Sequence, residues 1–110
     1  MLFTLLVLLV PGRGQEPLTG LIQGTIVDRK GPVAHAVLTA TNIDSVEPGS
    51  HRRTASADEK GFYQFVDVPE GRYSIVVRKK GYRDYRIPLV TVRGGETVDL
   101  PEIEMAAAGR

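Results

Sequence analysis

"TASADEKGFYQFVDVPEGRYSIVVRKKGY", residues 54–82, is a run of alternating apolar and polar residues that three glycine-containing segments interrupt. A two-residue period places successive side chains on opposite faces of a β-strand. The interrupting segments DEKG, PEG and KKG are rich in residues that form tight turns, and their glycines can adopt a positive φ. This stretch therefore predicts antiparallel strands joined by short turns.

The same two-residue period continues on both sides of this stretch. It is present in LIQGTIVD (21–28), AHAVLTATN (34–42), RRTASA (52–57), YRIPLVTV (85–92) and ETVDLPEIEM (96–105). β-Branched residues, which favour strands, are frequent in these runs, and no 3.6-residue apolar stripe follows the first ten residues. About seven short strands separated by turn signals predict an antiparallel β-sandwich.

The alternation also predicts which side chains fill the space between the two sheets. The predicted core residues are Ile22, Ile26, Leu38, Tyr63, Phe65, Tyr73, Ile75, Val77 and Val98.

Two runs are predicted at sheet edges. The run RRTASA carries charges that discourage pairing with other chains, and Pro88 has no backbone N–H for a ladder, so its segment lies at an edge or contains a bulge.

The first ten residues, MLFTLLVLLV, form an apolar block that is too short to cross a bilayer as a helix, which takes about 20 residues. The block has the character of a secretory signal, and Gly12-Arg13-Gly14 offers small residues for cleavage before Gln15. No Lys or Arg precedes the block, which a start codon assigned too late would explain. Residues 1–14 are therefore expected to be a signal peptide, complete or truncated, and residues 15–110 an extracytoplasmic (periplasmic or secreted) domain. A lipid-embedded segment and an ordinary strand are the alternatives for the block.

The charge balance argues against one class of partner. The chain of 110 residues carries 14 basic and 13 acidic groups, a formal net charge of +1. Without residues 1–14, which include Arg13, 13 groups of each sign are left. A neutral domain has no long-range field to recruit nucleic acid, so a nucleic acid is not expected as a partner. The chain has no cysteine, which excludes disulfides and thiolate chemistry.

Turn and inward positions follow one ordered pattern through the segment GTIVDRKGPVAHAVLTATN (24–42) and through residues 54–82. In the first segment the positions are Gly24, Ile26, Asp28, Gly31, Pro32, Val33, Ala36 and Leu38. In the second they are Ser56, Asp58, Gly61, Tyr63, Phe65, Pro69, Gly71, Tyr73, Ile75, Gly81 and Tyr82. Their order and spacing resemble the carboxypeptidase regulatory-like domain family, over residues 18–105.

The resemblance implies a seven-stranded antiparallel Greek-key sandwich of the prealbumin (transthyretin) type. It also implies a non-catalytic, extracytoplasmic module for folding or docking, of the kind that accompanies carboxypeptidases, bacterial surface proteins and TonB-dependent outer-membrane receptors. The expected partner is a protein or a neighbouring domain. Because the fold is also similar to starch-binding sandwiches, carbohydrate binding is the alternative.

No set of residues in the sequence predicts catalysis, a cofactor or a metal site. His35 and His51 are the only histidines, and they are not spaced to hold a metal on one strand face. The serines lack a G-x-S-x-G context. Asp58 and Glu59 lie in the predicted turn DEKG, and the formation of that turn is sufficient to account for the two carboxylates. The chain is therefore not expected to be an enzyme.

Phe62, Tyr82 and Tyr85 form the candidate surface for a ligand or partner. Phe62 alternates with the inward positions of its strand, so we expect it to be exposed. Tyr82 and Tyr85 lie in RKKGYRDYR (78–86), where five cations flank the two rings. As a nucleic-acid patch this segment would offer phosphate contacts and stacking rings, but a strand end whose lysines keep an edge soluble is the preferred interpretation. Residues three apart in a strand point to opposite faces, so we do not expect one three-ring platform, and Tyr82 is expected to pack over the end of the sandwich.

Overall fold

Nine strands account for the regular structure of the residues that the computed structural model describes, 18–44 and 52–108. They are β1 (Thr19–Asp28), β2 (Gly31–Pro32), β3 (Val37–Asn42), β4 (Arg52–Ser56), β5 (Phe62–Pro69), β6 (Gly71–Arg78), β7 (Tyr85–Val92), β8 (Thr97–Asp99) and β9 (Ile103–Glu104). The predicted signal peptide and His51 lie outside the described residues. Within these two ranges no helix has the length and apolarity needed to span a membrane.

The strands form two sheets with one core between them. In the first sheet β1 pairs with four strands: β5 and β2 run antiparallel to it, and β8 and β9 run parallel to it. The second sheet is antiparallel, in the order β4-β3-β6-β7. The predicted all-β sandwich is confirmed, and seven of the described strands have three or more residues.

The parallel pairs of β1 differ from the antiparallel order that the sequence predicts. The chain leaves β7 in the second sheet and crosses to the first sheet before β8. A tight hairpin forces the two strands that it joins to run antiparallel, whereas a crossing between sheets does not. β8 can therefore run parallel to β1, as it does in the structure. The predicted last strand is also divided at Leu100-Pro101 into β8 and β9.

The core contains eight of the nine predicted residues as fully buried side chains, and Val98 is partly buried against it. Burying one large aliphatic or aromatic side chain stabilises a fold by about 1.5–3 kcal/mol. The core also contains residues outside the predicted set, from β3, β5, β7 and β9 and from the segments beside the strands. They are Val33, Ala36, Ala40, Ala57, Val68, Val90, Val92, Ile103 and Met105.

The turn between β4 and β5 shows why glycines interrupt the strands. Oδ1 of Asp58 accepts hydrogen bonds from the backbone N–H groups of Lys60 (2.8 Å) and Phe62 (3.0 Å). Gly61 has a φ of 80°, where side chains are disfavoured, and a Cβ there would also strike the carbonyl of Ile26. The DEKG segment thus closes the turn as predicted, through a capping aspartate and a permissive glycine.

Three of the longer strands, β4, β5 and β7, lie at sheet edges, and each is protected against pairing with another strand. Arg53 of β4 points a charge to the inner face of its sheet. Asp67 of β5 has a φ of 53° and lies at a register shift, and Pro88 of β7 lies at a second one. Inward charges, bulges and proline all disfavour strand addition. The predicted edge positions of RRTASA and of the Pro88 segment are confirmed.

Candidate functional site

The structure places the three candidate aromatic residues in different surroundings. Phe62 is 38% exposed and lies on the outer face of the first sheet, because its neighbour Tyr63 is buried. Tyr85 is 36% exposed and pairs with buried Val77, so it lies at the inner rim of the second sheet. Tyr82 is in the turn after β6 and packs against the core. The three rings therefore do not share one face.

The phenol group of Tyr82 is engaged within the protein. Its hydroxyl donates a 2.6 Å hydrogen bond to Oδ2 of Asp28, whose Oδ1 accepts from the backbone N–H groups of Lys30 (2.8 Å) and Gly31 (3.1 Å). The hydrogen bond from Tyr82, followed by those from the backbone, lowers the pKa of Asp28, and the same bond raises the pKa of Tyr82. Tyr82 also pairs with Ala107. Tyr82 therefore joins the turn after β6 to the end of β1 through its side chain and to the C-terminal segment through its backbone.

A polar ladder crosses the outer face of the first sheet. Nε2 of Gln64 donates to Oε1 of Gln23 at 3.0 Å, and Nε2 of Gln23 donates to Oδ1 of Asp99 at 2.7 Å. Phe62 and Val66 flank Gln64 on β5 and are exposed. This face offers an aromatic ring beside two amide groups and a carboxylate.

The outer face of the second sheet carries four arginines around small hydroxyl side chains, and we name it the arginine face. The arginines are Arg52, Arg72, Arg78 and Arg86. The hydroxyl residues are Thr39, Thr41, Thr54, Ser56, Ser74 and Thr91, and the strand register places them on the same side as the arginines. Val37 and Val76 lie on the same side, and Val37 is 44% exposed, so this face combines guanidinium groups, small hydroxyl groups and an apolar side chain.

Two of these arginines form ion pairs with loop residues at the margins of the face. Arg72 binds Asp44 at 2.6 Å and Arg78 binds Asp84 at 3.2 Å. The hydrogen bond from Arg72 lowers the pKa of Asp44. Exposed pairs of this kind contribute little to stability. Within the described part of the chain, Arg52 and Arg86 form no ion pair.

A groove of about 420 Å³ lies between β4 and β5. It is lined by residues 52–56 of β4 and 64–66 of β5. Arg52 and Arg53 are its cations, and no acidic side chain belongs to its lining. The groove therefore extends the positive surface of the arginine face around the edge of the second sheet.

Groups that could perform catalysis do not come together in the described residues. His35 is exposed in the turn before β3, and no cluster of three metal-ligating side chains occurs in residues 18–44 and 52–108. The hydroxyl of Tyr63 is buried without a hydrogen-bond partner in the same ranges. Burial, with a smaller effect of Tyr85, raises the pKa of Tyr63 to about 12. Its phenol is therefore protonated at neutral pH.

Sequence reasoning did not identify the arginine face. The alternation assigns Arg78 to the outside, but bringing Arg52 and Arg86 onto the same face requires the strand order, which no local pattern specifies. One signal was available in the sequence: the runs that form β3, β4, β6 and β7 contain no acidic residue.

Comparison with known proteins identifies a matching family model. The model of the family described as "carboxypeptidase regulatory-like domain" matches residues 21–106. No curated protein matches the chain at the level of sequence.

Solved structures with a similar fold come from several kinds of protein. For 3-chlorocatechol 1,2-dioxygenase from Rhodococcus opacus the TM-score is 0.63, with 12% identity over 84% of this chain and 61% of that chain. For GBS52, the minor pilin of Streptococcus agalactiae, it is 0.62, with 16% identity over 86% and 47%. For a cohesin–X-dockerin complex from Acetivibrio cellulolyticus it is 0.55, with 20% identity over 80% and 58%. The chain thus spans less than two thirds of each, and the likeness shows a shared fold alone.

Proposed function

The chain belongs to the carboxypeptidase regulatory-like domain family, and on that basis we propose that it is a non-catalytic extracytoplasmic module that docks a protein partner or a neighbouring domain. The arginine face is the observation that carries this proposal. It is the outer face of a sheet, with cations among small hydroxyl groups, whereas sites for small substrates are concave and largely apolar. Arginine is also enriched where proteins meet other proteins.

Two further observations support docking through a face. The edges of β4, β5 and β7 are protected, which disfavours a partner that would add a strand. The fold is shared with a minor pilin and with a protein of a cohesin–X-dockerin complex, which is consistent with a module that makes protein contacts.

The proposed location is outside the cytoplasm, in an accessory domain of a surface or TonB-dependent receptor system. The apolar block MLFTLLVLLV, followed by Gly12-Arg13-Gly14, supports export. In the organism that encodes the chain, mass spectrometry is expected to find a mature protein without residues 1–14. An intact N-terminus on a cytosolic protein would contradict this location.

Site-specific crosslinking in that organism tests the docking role. A photoreactive residue in place of Thr54, on the arginine face, is expected to yield a discrete protein adduct that mass spectrometry can identify. The same group at Lys60, in the exposed turn before β5, is the matched control and is expected to yield none. If neither Thr54 nor Gln64 on the opposite face yields a protein adduct, the docking role is wrong.

Carbohydrate binding is the second candidate function, and the exposed Phe62 beside the Gln23–Gln64–Asp99 ladder favours it. An aromatic ring can stack on a sugar, and amides and carboxylates can bind its hydroxyl groups. Because the three aromatic rings do not share a face, we expect soluble starch and cellulose oligosaccharides to bind more weakly than about 1 mM. Titration calorimetry measures this affinity. A micromolar isotherm that Phe62→Ala abolishes without loss of fold would favour carbohydrate over protein.

A further inference from the structure

Charge is divided between the two sheets. The strands of the first sheet contain four acidic residues and no lysine or arginine, and the strands of the second contain five arginines and no acidic residue. The acidic residues are Asp28, Asp67, Asp99 and Glu104, and the arginines are Arg52, Arg53, Arg72, Arg78 and Arg86. The outward-facing charges of the strands therefore give the first sheet a negative side and the second sheet a positive side, although the whole chain has a net charge of only +1. Asp28, which binds Tyr82, and Arg53, which points to the inner face, do not contribute to these sides.

The negative side is concentrated along β8 and β9, on a surface that we name the acidic strip. Its residues are Glu96, Asp99, Glu102 and Glu104. Residues 94–108 contain no lysine or arginine. Asp99 pairs with Gln23 and Glu104 pairs with Val27, both of which alternate with the buried residues of β1. Asp99 and Glu104 therefore lie on the outer face of the first sheet.

The acidic strip and the arginine face cannot meet within one molecule. At a rise of about 3.3 Å per residue, Arg72 and Arg78 of β6 are about 20 Å apart, and Asp99 and Glu104, whose partners on β1 are four residues apart, are separated by about 13 Å. The two surfaces lie on opposite sides of the sandwich, and the ion pairs of the arginine face use no residue of the strip. A second molecule can bring them together.

We propose that a second copy of this chain binds through its acidic strip to the arginine face. This inference rests on the proposed docking role and names its partner. Arginine and carboxylate groups form strong paired hydrogen bonds, and the small hydroxyl residues of the arginine face allow close approach. Each surface meets a different surface of its neighbour, so the contact extends into a row of molecules instead of closing as a symmetric pair.

The size of the face sets the expected strength of this contact. Four strands at about 4.8 Å spacing and a length of about 20 Å give an area of about 300 Å², well below the roughly 800 Å² that each partner buries in a standard complex. The contact is therefore weak and depends on charge. We expect its association constant to fall about tenfold between low salt and physiological ionic strength, where the Debye length is about 8 Å.

Sedimentation equilibrium of the full chain at low ionic strength tests the proposal. The chain is expected to associate with increasing concentration. Arg52→Glu/Arg86→Glu, on the arginine face, and Glu102→Lys/Glu104→Lys, on the acidic strip, are each expected to be monomeric. An equimolar mixture of these two variants is expected to associate again, because the unmodified strip of the first variant can bind the unmodified arginine face of the second, and the two reversed surfaces are also complementary.

A matched control separates the effect of the proposed surfaces on association from the effect of net charge. Arg29→Glu/Lys60→Glu changes the net charge as much as the arginine-face variant does, but it does so in exposed turns, and it is expected to associate like the unmodified chain. Circular dichroism verifies that each variant is folded. Association that neither reversal weakens, or that the mixture fails to restore, overturns the proposed contact. A monomeric chain at low salt also overturns it, but leaves the docking role intact if crosslinking from Thr54 captures a different protein.

Discussion

Tyr82 and Asp28, 54 residues apart in sequence, are joined by a 2.6 Å hydrogen bond that ties the turn after β6 to the end of β1. This bond lowers the pKa of Asp28 and raises the pKa of Tyr82. The stability from Asp28 is therefore present above the pKa of an unfolded aspartate, about 3.9, and is lost as the pH falls through the lower folded value. The stability from Tyr82 is present below the pKa of an unfolded tyrosine, about 10, and is lost as the pH rises through the raised folded value.

Tyr82→Phe is expected to lower the free energy of unfolding at neutral pH and to flatten its decline in both acid and alkali, because this bond is the first cause of both pKa shifts. Urea unfolding between about pH 2 and about pH 11 covers both declines. Tyr85→Phe is the matched control, since its hydroxyl makes no hydrogen bond among the described residues, and it should leave the acid decline unchanged. An unaltered acid decline in Tyr82→Phe would mean that the bond does not form in solution.

Tyr63→Phe is expected to stabilise the protein. The Tyr63 side chain is 1% exposed, and its hydroxyl has no partner within the described residues. An unpaired buried polar group costs about 1–3 kcal/mol, so we expect a gain of about 1 kcal/mol in urea unfolding. Tyr73→Phe is the control, because its hydroxyl donates to the carbonyl of Pro69 at 2.7 Å and its loss should destabilise. Equal losses in both variants would show that the Tyr63 hydroxyl finds a partner, such as a bound water.

Gly24→Ala is expected to destabilise by about 1–3 kcal/mol, as overpacked cores do. A Cβ at this position would lie 2.5 Å from Oη and 2.9 Å from Cζ of Tyr63. Because the nearest atom is the hydroxyl, the cost should be smaller when Tyr63 is already Phe. A double-mutant cycle should therefore give a coupling of about 0.5–3 kcal/mol, and strict additivity would refute the packing.

His35→Gly is expected to stabilise by about 0.5–1 kcal/mol in thermal or urea unfolding. His35 has a φ of 65°, a left-handed conformation that costs a residue with a side chain roughly 1–2 kcal/mol. Part of this relief is offset, because glycine gives the unfolded chain more freedom. Arg29→Gly, in the exposed turn after β1, is the control without a positive φ and should destabilise slightly. A loss in His35→Gly that matches the control would argue against strain at this turn.

The sequence predicted which face of its strand each residue occupies more accurately than it predicted which strands lie side by side. A period of two states which side of a strand each residue occupies, and Tyr63, Phe65, Tyr73 and Ile75 are buried accordingly. It does not state which strand lies alongside. The parallel pairing of β8 and β9 with β1 was therefore not predicted, because it follows from a crossing between sheets after β7.

The same limit applies to the candidate surfaces. Phe62 was predicted to be exposed because it alternates with buried residues, which is local information. The hydrogen bond between Tyr82 and Asp28 spans 54 residues, and the arginines of the arginine face come from three different strands. Both depend on the order of strands in the sheets, and a pattern within one strand carries no information about that order.

The parallel pairing of β1 with β8 and β9 has a mechanical consequence. Tension applied between residues 18 and 108 pulls neighbouring parallel strands in opposite directions along their length. The hydrogen bonds between them are then loaded together, in shear, instead of opening one after another. We expect a single-molecule force experiment to give a markedly higher rupture force for this attachment than for a pull between Val37 and Ser56, which are paired at the open end of β3 and β4, so that the hydrogen bonds between these two strands would open one after another. Similar forces in the two geometries would contradict the expectation, whereas a clear difference would suit the module to bear load between an anchor and the partner that it holds.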